Sequence, residues 1–442
     1  MPKVKRKTEA PSEARIERLH SLLAMVAPVP QEWLQEAAEA PQDGGVSCLT
    51  CTNYAELRGA WKEAMRWTEG LDTALCVMLA SIASTMSIGD QLWLKILGPA
   101  SCGKSTLCEA ISVASRWVIA KSTIRGFHSG FGDGEEDHSL ISKMNEKTLV
   151  IKDGDTLLQS PNLSQVLSEA RDIYDTVSRT SYRNKASRDY QGVRATFLLC
   201  GTSSLKTIDS SELGERFLDC VIMDGIDDEM EDEVLMIVAE RAERNMGTEV
   251  SQKKNQYDKD LTKAMGMTGG YVNYLRENAS EILKKIDMPT EVIRRCTRLG
   301  KFVSYMRARP SKTQEEKAER EFAARLAVQH VRLAKSLAAV MNKETVDEEV
   351  MAITAKVALD TAAGISLKIT EALFNEGDTG LEVKTLSIFV NRPEAEVRNI
   401  LRFMVKINAV STFRPKKGAG VHGKARWRLT PTVENLYEQV MQ

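Results

Sequence analysis

The stretch GPASCGKST, from Gly98 to Thr106, has the residue types and spacing of a phosphate cradle. Glycines let backbone N–H groups curl around an anion. Lys104 reaches toward outer phosphates, and the Ser105 hydroxyl can hold magnesium. The pattern G-x-x-x-x-G-K-[ST] gains meaning from its context, an apolar run (LWLKIL) before it and a helical pattern (TLCEAISVAS) after it. Gly98, Pro99, Ala100, Ser101, Cys102, Gly103, Lys104, Ser105 and Thr106 are the expected phosphate contacts, with ATP and Mg2+ as ligands. A chance glycine-rich turn is the alternative. The second acidic signal is TLVIKDGDTLL, from Thr148 to Leu158. It reads as a buried strand delivering Asp153 to a nucleotide-bound magnesium ion, directly or through water. Many ATPases place a glutamate next, to prepare the attacking water; this chain has Gly154 and then Asp155. In an extended chain Asp155 points to the same side as Asp153 and could orient that water, with a shorter reach. Capping of the helix TLLQSPNLSQVL is the other role open to Asp155, and a glutamate from elsewhere could also serve.

These residues need a scaffold, and the chain has the length for two or three domains, at 442 residues. Its 43% hydrophobic and 27% charged content is that of a globular protein. A net charge of −1 means that any affinity for nucleic acid must come from local basic patches. The most apolar stretch, TALCVMLASIASTMSIG from Thr73, is interrupted by Ser and Thr and reads as a core helix, not a membrane span. The basic start MPKVKRKTEAPSEA has no apolar core of a secretory signal. Eight cysteines scattered in apolar runs fit reduced thiols in a cytoplasmic setting. Cys48 and Cys51 form one C-x-x-C, without a second pair at zinc spacing.

Helical patterns occupy the first part, SEARIERLHSLLAMV and then Tyr54 to Ser87. From Leu92 to Asn245 short apolar runs (LWLKIL, TLVIK, ATFLLCG, LDCVIM) alternate with helical stretches, which predicts a three-layer α/β sandwich with a mostly parallel sheet. Helical patterns fill Glu249 to Lys368. The acidic run DGIDDEMEDEV suits the start of a solvated helix. The expected division is an N-terminal tail and helical segment (1–53), an α/β core (54–245), a helical part (246–364) and a C-terminal module (365–442).

FLLCGTSSL ends a strand in small polar residues, and LGERFLDCVIMD places Arg–Phe before another strand. In this order, after the phosphate loop and acidic strand, the pieces resemble the AAA+ ATPases, and most of all the minichromosome-maintenance (MCM) helicase branch with its relatives in phages and mobile elements. The resemblance covers Leu92 to Asp360. It implies an AAA+ three-layer P-loop NTPase core in which Thr202 senses the γ-phosphate and Arg216 acts on the ATP of a neighbouring subunit. FAARLAVQHVRLAKSLAAV resembles that branch's helical lid, with Arg325 seven residues before Arg332-Leu333-Ala334 and in contact with nucleotide. A plain amphipathic helix with Phe322, Leu326, Leu333 and Leu337 inward explains the same pattern. Asp153–Gly154 departs from the family's Asp–Glu.

SRTSYRNKASRDYQGVR carries five basic residues and one acid. MCM-like rings have a DNA-gripping hairpin here, which implies DNA contact by Arg183, Lys185 at the tip, and Arg188. A solvated basic loop, or arginines at a subunit joint, is the alternative. The last segment reads as three helices and a basic hairpin, VSTFRPKKGAGVHGKARWRLT, and resembles a winged helix. Lys416, Lys417, Lys424 and Arg426 would meet the phosphate backbone while the third helix enters a groove. Phe413 and Trp427 could pair across the hairpin. A winged helix that binds protein fits the same pattern. The implied whole is a hexameric ring of identical subunits translocating on single-stranded DNA in the cytoplasm. A duplex contact through the winged helix, but no membrane partner, is expected. The rival is a nucleotide-gated initiator, helicase loader or regulator with slow hydrolysis; a third reading is an assembly or defence ATPase acting on protein.

Overall fold

The computed structural model describes residues 46–129, 137–181, 187–210, 216–222, 236, 256–308, 323–417 and 421–441. The N-terminal helical stretch, the run DGIDDEMEDEV, and both Arg183 and Lys185 lie outside these residues. Ser47–Gln442 forms one compact unit.

Five strands, β1 (Trp93–Leu97), β2 (Val118–Lys121), β3 (Lys147–Ile151), β6 (Ala195–Gly201) and β7 (Phe217–Val221), form a parallel sheet in the order β2-β3-β6-β1-β7. Two further strands, β4 (Val177–Ser181) and β5 (Ser187–Gln191), make an antiparallel hairpin outside it. Every residue of β1 and β6 is buried, as expected where helices cover both faces of a parallel sheet. The alternation of side chains shows in two cores. Leu94, Ile96, Leu198 and Cys200 join one; Trp93, Leu97, Phe197 and Leu199 join the other. The mixed α/β fold with a parallel sheet therefore agrees with the alternating pattern of the sequence. The four-residue edge strand β2 was not expected. It is buried only at Val118 and too short to stand out beside a helix.

The first core is built by α1 (Tyr54–Ala64) and α2 (Glu69–Ser84), packed with α3 (Lys104–Ser112), which follows the phosphate loop. Thr68 stops the run from Tyr54 to Ser87 being one helix, by capping α2 through its hydroxyl and the N–H of Leu71 at 3.2 Å. The apolar stretch from Thr73 is α2, buried along nearly its whole length. No single helix among the described residues is long and apolar enough to cross a membrane. The second core takes α4 (Leu140–Met144), α5 (Gly154–Leu158) and α6 (Leu163–Tyr174). The expected single helix TLLQSPNLSQVL is thus two; the turn between them holds Pro161, which disfavours helix in the residue before it.

Beyond the sheet come four long helices, α7 (Gln256–Lys285), α8 (Thr290–Arg307), α9 (Ala324–Val340) and α10 (Glu348–Ala362). Three shorter ones follow, α11 (Ile365–Glu376), α12 (Val383–Val390) and α13 (Glu394–Lys406). A ribbon then pairs β8 (Val410–Phe413) with β11 (Arg426–Leu429), and β9 (Lys416–Lys417) with β10 (Val421–His422). Trp427 lies opposite Thr412, not Phe413, and bridges to Leu381 on its other side. The expected Phe413–Trp427 pair is therefore corrected: the register puts them on opposite faces. The chain adds an unexpected helix, α14 (Pro431–Met441), whose Tyr437 ring meets Phe302 and Phe374 at 5.8 and 4.8 Å.

Candidate nucleotide site and arginine cluster

The phosphate loop runs from the end of β1 to the first residue of α3. Gly103 caps α3 with φ +91°, and a Cβ there would lie 2.9 Å from Leu71 Cδ2, so both backbone and space call for glycine. Lys104 Nζ donates to the carbonyls of Gly98 (2.7 Å) and Pro99 (2.5 Å), which holds the ammonium against the loop itself. Ser101 and Ser105 are exposed. The first N–H groups of α3 have no acceptor within their helix, and the helix dipole favours an anion before them. Gly98 N–H donates to Gly201 O at 3.1 Å, tying the loop to the end of β6.

Asp153 lies two residues past β3. Its N–H donates to Ser122 O beyond β2 at 3.1 Å. Its exposed carboxylate accepts from the Thr156 N–H (3.2 Å) and the Thr156 hydroxyl, so Asp153 is the cap of α5. Ile151 pairs with Leu199, and Leu97 with Gly201. Asp153 and the start of the loop therefore stand level, two strands apart, which is about 10 Å. Ser105 and Asp153 offer the hard oxygen donors that Mg2+ takes alongside phosphate oxygens, so the residues fit a Mg2+–nucleotide.

Asp155 is helical rather than extended, so it does not share the side of Asp153. That expectation is corrected: α5 starts at Gly154. The helix cap is Asp153, and Asp155 instead turns to β6. Its Oδ2 accepts the N–H of Thr202 at 2.8 Å and its Oδ1 the Thr202 hydroxyl at 2.9 Å. The structure thus joins Asp155 and Thr202, and strand order puts Thr202 between the loop and Asp153. Gly154 explains the missing glutamate. A Cβ at this position would lie 2.7 Å from Leu199 Cδ1, 2.9 Å from Leu205 Cδ1 and 3.1 Å from Cys200 O. Beneath the loop, Cys108 Sγ and Cys200 Sγ are 3.2 Å apart, and this bond together with burial pushes the Cys200 thiol well up.

Arg216 and Arg325 lie elsewhere. Arg216 immediately precedes β7, whose Phe217 pairs with Trp93 and Val221 with Leu97. It is therefore at the opposite end of the sheet from its own phosphate loop, about 17 Å away along the strand. Arg216 is 7% exposed, and its Nη2 donates to Asp175 Oδ2 at 2.9 Å. Its Cζ lies 5.3 Å from the ring centre of Tyr174, and the Cζ of Arg325, on the first turn of α9, lies 5.6 Å from it. Burial, reinforced by Asp90, pushes the Tyr174 phenol up, so it stays protonated. Arg332 donates to Ile88 O in the same region. Sequence reasoning did not find Tyr174, Asp175 or Gln329, since they read as the end of one amphipathic helix and the face of another.

Of the expected DNA contacts, Arg188 lies on β5, and Lys416 and Lys417 form β9. The hairpin itself is present; Arg179 on β4 pairs with Asp189 on β5 at 3.2 Å. Arg426 donates to the carbonyls of Thr379 (3.0 Å) and Gly380 (3.4 Å). Lys424 pairs with Glu382 at 3.6 Å while 80% exposed. The ribbon's Arg428 meets Asp378 at 3.2 Å and covers Phe413. These contacts fasten the ribbon to the turn before α12, a local role that a count of charges misses. Cys48 is exposed and Cys51 buried, in a segment without regular secondary structure whose Leu49 N–H donates to Gly266 O at 2.8 Å.

The sequence matches no model of a known protein family, and no curated protein aligns with it significantly.

Proposed function

We propose that this chain is a AAA+ ATPase, similar to the MCM-like helicase branch, that acts as a ring of identical subunits and uses ATP to move along DNA. One observation carries the reading. Lys104, Ser105, Asp153 and Thr202 gather at one pole of the sheet, while Arg216 and Arg325 meet on one tyrosine at the other. A subunit's arginines are too far from its own loop, so the nucleotide they serve belongs to the next copy. Lys104 and the loop amides would hold the phosphates of ATP, with Ser105 and Asp153 on Mg2+. The cation, when bound, neutralises phosphate charge. The Thr202 hydroxyl donates a hydrogen bond to Asp155 Oδ1 at 2.9 Å. A γ-phosphate oxygen that accepted this hydrogen bond in its place would leave Asp155 Oδ1 to accept a hydrogen bond from water. The hairpin β4–β5 and a winged helix made of α11–α13 and the ribbon would supply the DNA contacts, with the exposed Lys424 among them.

A second reading is favoured by one feature. Gly154 has no room for a glutamate, and Asp155 is engaged by Thr202. A nucleotide-gated DNA-binding factor with slow turnover would have this site. Steady-state ATP hydrolysis with and without single-stranded DNA, for wild type, Lys104→Ala and Arg216→Ala, separates the two. DNA-stimulated turnover lost in both variants supports the motor. Tight ATP binding with negligible turnover overturns it in favour of the switch.

A further inference from the structure

Tyr174 closes α6 and is 2% exposed, yet its ring carries two guanidinium groups from distant parts of the chain. Two cations so close repel. The negative face of an aromatic ring offsets that repulsion, and an aliphatic side chain does not. The neighbours complete the mount. Asp175 holds the Nη2 of Arg216 at 2.9 Å. Gln329, fully buried on α9 one turn after Arg325, donates its Nε2 to Arg216 O at 2.8 Å and to the Tyr174 phenol oxygen at 3.3 Å. One ring, one carboxylate and one amide thus join the start of β7 to the start of α9.

We propose that Tyr174 is a positioning residue that presents Arg216 and Arg325 together, as one cationic unit, to the outer phosphates of a nucleotide held by a second copy of this chain. The inference rests on the shared-site reading above. It adds that the two arginines act jointly and that a shift of α9 reaches Arg216 through Gln329. Tyr174 also packs edge-on against Trp93 at 5.0 Å, so its removal affects the core as well. The test has to separate positioning from folding.

The experiment uses full-length protein and compares wild type, Tyr174→Phe and Tyr174→Leu for ATP turnover, with ATP binding measured alongside. Tyr174→Phe keeps the ring and should retain kcat within about twofold. Tyr174→Leu should lose about tenfold or more in kcat, part of the roughly 10³-fold that a transferring arginine supplies. Its KM and ATP affinity should hold, because its own loop is at the far pole. Mixing Tyr174→Leu with Lys104→Ala should restore activity above the sum of the two. The Lys104→Ala copies bring sound arginine poles to sound loops, and a misfolded Tyr174→Leu chain would not be rescued. Wild-type kcat in Tyr174→Leu, a change in KM alone, or no rescue on mixing overturns the proposal while wild-type turnover stands. Absence of turnover in the wild type overturns the shared-site reading itself.

Discussion

At Gly154, the first residue of α5, the chain passes against β6 with three atoms waiting where a side chain would begin. The residue after the acid is thus set by packing. Gly154→Glu would not install a better base; it would push α5 off the sheet. Overpacking of this kind costs about 1–3 kcal/mol. Urea unfolding should show that loss in Gly154→Glu, together with ATP turnover no faster than wild type. A stable variant with faster turnover would mean that α5 shifts freely and that the site has room after all. Asp155 and Thr202 show the same dependence on near neighbours: two hydrogen bonds, 2.8 and 2.9 Å, define a carboxylate whose neighbours in sequence suggested a different job.

Between elements, the central sheet carries a charge pair that no local pattern announces. Lys95 on β1 is wholly buried and meets Asp219 on β7 at 3.1 Å, directly across the ladder. The Asp219 N–H donates to the hydroxyl oxygen of Thr361 on α10 at 2.9 Å. Lys206 also lies 3.8 Å from Asp219, so Lys95→Met should destabilise by less than the about 3–5 kcal/mol lost when a buried charge is left with no partner. Adding Asp219→Leu should recover much of the loss in the same denaturant titration; an additive double variant would show that the pair is not coupled. On α9, burial pushes the His330 ring down to about 4, with Nδ1 against Leu326 O at 2.7 Å. The unfolded chain takes up a proton near pH 6.5 and the folded chain does not until about 4, so His330 costs stability as pH falls through that window. Between pH 7 and 5, wild type should lose more stability than His330→Leu. Equal slopes would place the acid sensitivity elsewhere. Much of this architecture was legible. The runs LWLKIL, TLVIK and ATFLLCG are strands because continuous apolar residues suit a sheet covered on both faces, and GPASCGKST lies between strand and helix as its spacing requires. The pairing of Lys95 with Asp219, of Asp155 with Thr202, and of two arginines on Tyr174 was not legible. Each depends on which strands become neighbours, and strand order is not a local property.

For the whole molecule, the proposal makes activity a property of assembly. Turnover per chain should rise steeply with protein concentration and level off once copies are joined. Light scattering on the same samples should show particles growing over the same range. Turnover per chain that is flat from dilute to concentrated solution, with monomers throughout, would sink the shared site. The two poles have one more consequence. If the site is shared as proposed, a body whose loop faces one way and whose arginines face the other would join head to tail, each joint using two different surfaces. Such a series has a direction, and it closes into a ring only if the turn per copy divides a full circle. In a cell that made sound and damaged copies together, a chain with a broken arginine pole would silence its neighbour and keep its own loop. One bad copy would then spoil a site it does not own.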